Sequence, residues 1–268
     1  MTGLDFPDGI TFDDARYKYV ANVHGYSSMN GSVTVYAPRA NGNVAPVRTI
    51  GGPSTGLSAP HDVALDSSGN SYVANAPGVN AVTVYGPGAN GNVPPLRTLN
   101  IQYDVGPEDV ALSTNGNIYV TTIRDCFGRH CYGTDAVLEY APGASGHASP
   151  IAIISGSNTQ LRGPLDLALD ATANIYVANT TGNSLPVYAA GAHGNVAPIR
   201  TISGSNTQLN QPYSIALDAS GNIYVTNPYA SVPSVTVYAA GANGNVAPIR
   251  TISGSNTGLM RPYGIGVH

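Results

Sequence analysis

One phrase returns five times along this 268-residue chain, and no other feature narrows the fold as much. Its fullest form reads P-x-x-I-A-L-D-x-S-G-N-I-Y-V-A-N … S-V-T-V-Y-A-x-G-A-N-G-N-V-A-P-I-R-T-I-S-G-S-N-T. The opening proline recurs at Pro7, Pro60, Pro107, Pro164, Pro212 and Pro262. The five intervals between Pro7 and Pro262 average 51 residues, which suits a propeller blade and is too long for leucine-rich or ankyrin repeats. Each copy divides into four strand-like pieces, at 213–218, 222–227, 234–238 and 248–252 in the fifth. The first piece is almost continuously apolar, as an innermost strand should be, and the third alternates like a strand with one wetter face. Between the first two stands Asp-x-Ser-Gly-Asn, at 66–70 and 218–222, a hairpin signal in which Gly supplies positive φ and Asp binds nearby backbone.

The expected fold is therefore all-β, a single β-propeller domain over 1–268 made of four-stranded antiparallel blades. Its repeats run over about 7–59, 60–106, 107–163, 164–211 and 212–261, followed by an extra C-terminal strand at 262–268. The alternative is a six-bladed ring, incomplete or completed by a partner. An unpaired blade edge invites association, so a homo-oligomer fits that alternative. Glycine (32) and proline (20) supply the many tight turns such a fold needs.

Charge narrows the partners. The formal net charge is -4, only 10% of residues are charged, and Lys18 is the only lysine. Scattered arginines make no polybasic patch, which excludes nucleic acid and an anionic membrane surface. No apolar run approaches the length of a membrane span, and residues 1–9 have neither a basic start nor an apolar signal core. The two cysteines stand in Cys126-Phe-Gly-Arg-His-Cys131, a short spacing in a Gly-containing loop that favours a disulfide and a secreted or periplasmic location. Zinc held with His130 is the rival reading, but the spacing matches no common structural zinc motif.

Tyrosines return at one phase in the second strand (Tyr72, Tyr119, Tyr176, Tyr224) and at another in the third (Tyr36, Tyr85, Tyr140, Tyr188, Tyr238). Constant phase in every copy reads as a packing layer between blades. Arg48, Arg97, Arg200 and Arg250 recur in the fourth strand, where copy three has Ala152, and are expected to serve the rim and solubility.

Chemistry is expected where the copies differ. The two residues after each repeat proline enter the inner strand: Asp8 and Gly9, His61 and Asp62, Glu108 and Asp109, Leu165 and Asp166, Tyr213 and Ser214, Tyr263 and Gly264. His61, Asp62, Glu108, Asp109, Asp166, Tyr213 and Tyr263 are the candidate ligand-binding residues of this set. Asp62, Asp109 and Asp166 share one phase and should point the same way. Converging oxygens suit a calcium (Ca²⁺) or magnesium (Mg²⁺) ion, or a polyhydroxylated or cationic ligand. The alternative is that each Asp accepts backbone N–H bonds at the start of its own inner strand. The second-to-third strand loops vary most and add His24, Tyr26, Arg129, His130 and Tyr132 as candidates, with Arg124 and Tyr229 beside them.

The run P-x-x-I-A-L-D-x-S-G-N-I-Y-V-A-N resembles the NHL-repeat propellers, whose scaffold is shared with streptogramin lyase-like enzymes. That resemblance covers essentially the whole chain and implies blades around a central channel, with the fourth-to-first and second-to-third loops on one face. No H-E-x-x-H and no phosphate-cradling G-x-x-x-x-G-K-[ST] is present. The leading expectation is a non-catalytic recognition or scaffold module that binds a protein or small polar ligand at the channel mouth. A metal-assisted lyase or hydrolase is the rival, and a lectin the third reading.

Overall fold

The computed structural model describes residues 1–24, 31–76, 78–102, 106–127 and 130–267, with backbone alone for 125–127 and 130–132. Five four-stranded antiparallel sheets, each in plain chain order, form a five-bladed propeller. Blade 1 comprises β1 (Pro7–Phe12), β2 (Lys18–Asn22), β3 (Ser32–Tyr36) and β4 (Arg48–Gly51); blade 2 comprises β5 (Pro60–Leu65), β6 (Ser71–Asn75), β7 (Ala81–Tyr85) and β8 (Arg97–Asn100). Blade 3 comprises β9 (Pro107–Leu112), β10 (Ile118–Thr122), β13 (Ala136–Tyr140) and β14 (Ala152–Ser155), and its second-to-third connection holds a small hairpin of β11 (Asp125–Phe127) and β12 (His130–Tyr132). Blade 4 has β15 (Pro164–Leu169), β16 (Ile175–Asn179), β17 (Ser184–Tyr188) and β18 (Arg200–Ser203); blade 5 has β19 (Ile215–Leu217), β20 (Ile223–Asn227), β21 (Ser234–Tyr238) and β22 (Arg250–Ser253). Among the described residues, helix is confined to three short 3₁₀ turns in the Ser-Asn-Thr segments.

The hairpin signal works as its residues dictate. In blade 2 the Asp66 carboxylate accepts the amides of Ser68 and Asn70 at 2.9 Å each, and Gly69 takes φ 78°. Asp170 and Asp218 repeat the arrangement in blades 4 and 5.

The core lies between blades, not within them. Four apolar clusters join successive blades, built around Ile50 with Val63, Leu99 with Val110, Ile154 with Leu167, and Ile202 with Ile215. Third-strand tyrosines brace these layers as expected. The Tyr85, Tyr188 and Tyr238 hydroxyls donate to the carbonyls of Thr55, Thr159 and Thr207 at 2.7, 2.5 and 2.5 Å, tying each blade to the turn that leads into it.

The fourth-strand arginines correct an expectation, because they are not there for solubility alone. Arg48, Arg97, Arg200 and Arg250 lie over the rings of Tyr19, Tyr72, Tyr176 and Tyr224 and donate to their hydroxyls at 2.8 Å. Such stacking adds cation–π attraction to a hydrogen bond. In blade 3, where Ala152 replaces arginine, Glu139 lies directly across the ladder and accepts the Tyr119 hydroxyl at 2.7 Å.

The C-terminal segment fills the seam between blades 5 and 1 without forming a ladder. Its Ile265 amide donates to Ser214 Oγ at 3.3 Å, and Thr226 Oγ1 donates to the Tyr263 carbonyl at 2.9 Å. On the other side, the α-carbons of Gly264 and Gly266 face the Asp8 and Ile10 carbonyls of blade 1 so closely that a β-carbon on Gly264 would lie 2.0 Å from the Asp8 oxygen.

Candidate functional site

Each inner strand begins with a break in register, and that break aims the candidate residues. In blade 2 Pro60 pairs with Asn75 and Asp62 with Ala74, so His61 is an extra residue in the ladder. Glu108 and Leu165 are extra in the same way in blades 3 and 4, and blade 1 shows the shift between Pro7 and Ile10. Bulges of this kind bend a strand and redirect a side chain. Here they bring Asp8, His61, Glu108, Leu165 and Tyr213 to one small cavity of about 20 Å³ at the channel mouth, with Asp62, Asp109, Asp166 and Ser214 as its floor. That is room for about one water molecule. Below the floor the channel continues as a cavity of about 230 Å³, walled by the inner strands and Ile265.

The floor is a relay from blade to blade. Asp62 accepts the Val110 amide, Asp109 accepts the Leu167 amide at 2.7 Å, Asp166 accepts the Ile215 amide, and Ser214 accepts that of Ile265. The acceptor role expected within each strand thus crosses to the next blade, and only Asp62 also takes an amide of its own strand, that of Val63. Blade 1 has Gly9 at this phase. A β-carbon there would sit 2.2 Å from Asp62 Oδ1, so the closeness of Asp62 requires glycine.

Burial governs the protonation of this site. It holds the carboxyls of Asp62, Asp109 and Asp166 above the usual carboxylate range, the last two far above it. The neighbouring charges of Asp166 and Asp62 add to the effect at Asp109, which shares a carboxyl–carboxylate hydrogen bond with Asp62. Asp8 is pushed up to about 7, first by burial, then by the charge of Asp62, against the Tyr213 hydroxyl that donates to it at 3.2 Å. Burial lowers His61 to about 4. His61 Nδ1 lies 3.5 Å from Asp8 Oδ2 and 3.4 Å from Glu108 Oε2. Distance alone suggests an ion pair, but desolvation outweighs it, and the imidazole is neutral at pH 7.

A calcium or magnesium ion would need these same oxygens. They are engaged with amides and with one another, and among the described residues no group of three or more His, Cys, Asp or Glu side chains is placed to hold a metal.

Above the cavity stands an aromatic shelf. Tyr263 lies 4.8 Å from Tyr213 and 6.2 Å from Tyr229, centroid to centroid, and its hydroxyl is 3.4 Å from that of Tyr229. Tyr229 comes from the second-to-third strand connection of blade 5 and is 45% exposed. Of the remaining candidates, His24 is exposed and pairs with Asp5. Tyr26 and Arg129 lie outside the described residues, as do the side chains of His130, Tyr132, Cys126 and Cys131. The backbone register sets Cys126 opposite Cys131, and the disulfide itself stays a proposal. Sequence reasoning left Asp8 and Ser214 out of the site, although both stand at the phase it had singled out.

Comparison with known proteins agrees on the scaffold. A family model described as strictosidine synthase-like, N-terminal, matches residues 95–124, which run from β8 into β10. No curated protein matches the chain in sequence. Among solved structures, a protein of unknown function from Bacteroides caccae superposes with a TM-score of 0.68 at 11% identity, covering 97% of this chain and 85% of that one. The periplasmic gluconolactonase of Pseudomonas aeruginosa gives a TM-score of 0.63 at 17% identity, covering 92% and 72%. A streptogramin B lyase gives 0.51 at 12% identity, covering 89% and 86%. Identities this low establish the propeller fold and leave activity open.

Proposed function

We propose that the protein is a non-catalytic recognition module, working in a secreted or periplasmic setting, that holds a small polar ligand with a cationic group at its channel mouth. One observation carries this reading: the Tyr213–Tyr263–Tyr229 shelf stands directly beside Asp8. Aromatic faces and a nearby carboxylate attract a cation with apolar surface. The shelf occurs once around the ring, whereas a lectin using repeated sites would present equivalents in several blades. Calorimetric titration with choline tests the proposal, with maltose as the neutral hydroxyl-rich probe. Choline should release heat, more strongly above pH 7 where Asp8 is ionised, and Tyr263→Ala should abolish it. Heat from maltose alone would favour the lectin, and no heat from either would end the proposal. The metal-assisted lyase or hydrolase draws support from His61, a neutral base at pH 7 between Asp8 and Glu108. Heat on adding calcium chloride would favour it.

A further inference from the structure

The four interfaces between successive blades share one construction, and the fifth blade presents the same surface uncovered. In each interface the fourth strand of one blade bridges to the glycine of the next blade's third-to-fourth loop: Ile50 to Gly91, Leu99 to Gly146, Ile154 to Gly194 and Ile202 to Gly244. Those four apolar residues are at most 2% exposed. In three of the interfaces an asparagine from that loop, Asn92, Asn195 or Asn245, accepts a backbone amide of the preceding blade at 2.7 Å. It also lies within 2.7 Å of where a β-carbon on Gly52, Gly156 or Gly204 would be. In blade 5 the counterpart Ile252 is 48% exposed and the space around Gly254 is open.

Near the axis the same vacancy has its first strand. The Ile265 amide bonds Ser214 as Leu167 bonds Asp109, and the Tyr263 carbonyl accepts Thr226 as the Leu165 carbonyl accepts Thr121. Toward blade 1, Gly264 abuts the Asp8 carbonyl as Gly9 abuts the His61 carbonyl. The segment 262–267 therefore holds a sixth inner-strand place between blades 5 and 1. Outside it a cleft of about 440 Å³ opens beside blade 1, lined by Val20, Tyr36, Gly42, Val44 and Tyr263.

We propose that this cleft and the outer face of blade 5 form a docking surface for a three-stranded β-meander with the repeat's own chemistry, including its Asn-Gly-Asn loop. The internal interfaces specify that occupant, since all four cover the same apolar residue with a loop glycine and three of them cover the following glycine with an asparagine. A whole second copy does not fit. Offering its blade 1 to blade 5 would drive its blade 2 into the space that the first copy's blade 1 occupies.

The test appends a copy of residues 219–258 directly after His268 of the full chain and follows thermal unfolding. Tm should rise by about 5 °C or more. Ile252→Asp in the host should cancel the rise, and so should Asn243→Ala with Asn245→Ala in the appended copy. Because Ile252 is half exposed, Ile252→Asp in the unextended protein should leave Tm unchanged, which separates lost docking from lost folding. No rise, or a rise indifferent to these substitutions, would overturn the proposal. So would a concentration-dependent dimer of the unextended protein that Ile252→Asp dissolves, which would assign the face to a second copy.

Discussion

Replacing Asp8 by asparagine should stabilise the protein at pH 8. A carboxyl with a higher pKa in the folded than in the unfolded chain contributes fully below its unfolded pKa, and the contribution is lost as pH rises toward the folded value. For Asp8 that window runs from 3.8 to about 7. At about 1.4 kcal/mol per pH unit, the loss amounts to roughly 4 kcal/mol by pH 8. Asparagine keeps an oxygen that accepts the Tyr213 hydroxyl and has no charge to desolvate. Urea unfolding of parent and Asp8→Asn should show the variant more stable by about that amount at pH 8. His61 acts in the opposite direction: its pKa is lowered to about 4, so its contribution is lost as pH falls below the usual 6.5. Because His61 lies 3.5 Å from Asp8, the comparison is read between pH 6.5 and 8, above the range in which His61 takes up its proton. Equal stabilities, or a variant weaker at pH 8, would refute the reasoning that burial controls Asp8.

Four further substitutions test the construction. Ile202→Ala removes a side chain with no exposure and should cost about 3 kcal/mol in urea unfolding, whereas Ile252→Ala at the seam should cost less than about 1 kcal/mol. Gly9→Ala forces a β-carbon to within 2.7 Å of backbone atoms of His61 and Asp62, and calorimetric unfolding should show a loss of about 3 kcal/mol. Tyr238→Phe strands the buried Thr207 carbonyl and should lower stability by about 1–2 kcal/mol, read from the shift in urea midpoint.

Much of this was legible in the sequence because a repeat reports geometry through phase. Equal offsets from each proline implied that Asp62, Asp109 and Asp166 meet near one axis, and they line one floor. The fourfold recurrence of strand pieces was enough for the blades. What phase cannot convey is a relation between copies. The Asp109 bond to Leu167 spans 58 residues, and nothing local to either predicts it. The arginine contacts were missed for a different reason: Arg97 and its partner Tyr72 belong to one copy, but phase places each in its own strand and does not say that the two side chains meet. The Tyr263 shelf depended on a C-terminal segment whose seat at the seam is set by contacts with blades at both ends of the chain.

A sealed ring has no end from which to unravel, but one whose outer strands stop short does. With apolar clusters joining blades 1 to 2, 2 to 3, 3 to 4 and 4 to 5 among the described residues, the molecule is expected to open energetically as a row of five with two flanks, although it is bent into a circle. Native-state hydrogen exchange should then be graded, slowest in blade 3 and fastest at the flanks, with fraying that starts at β22 and works inward.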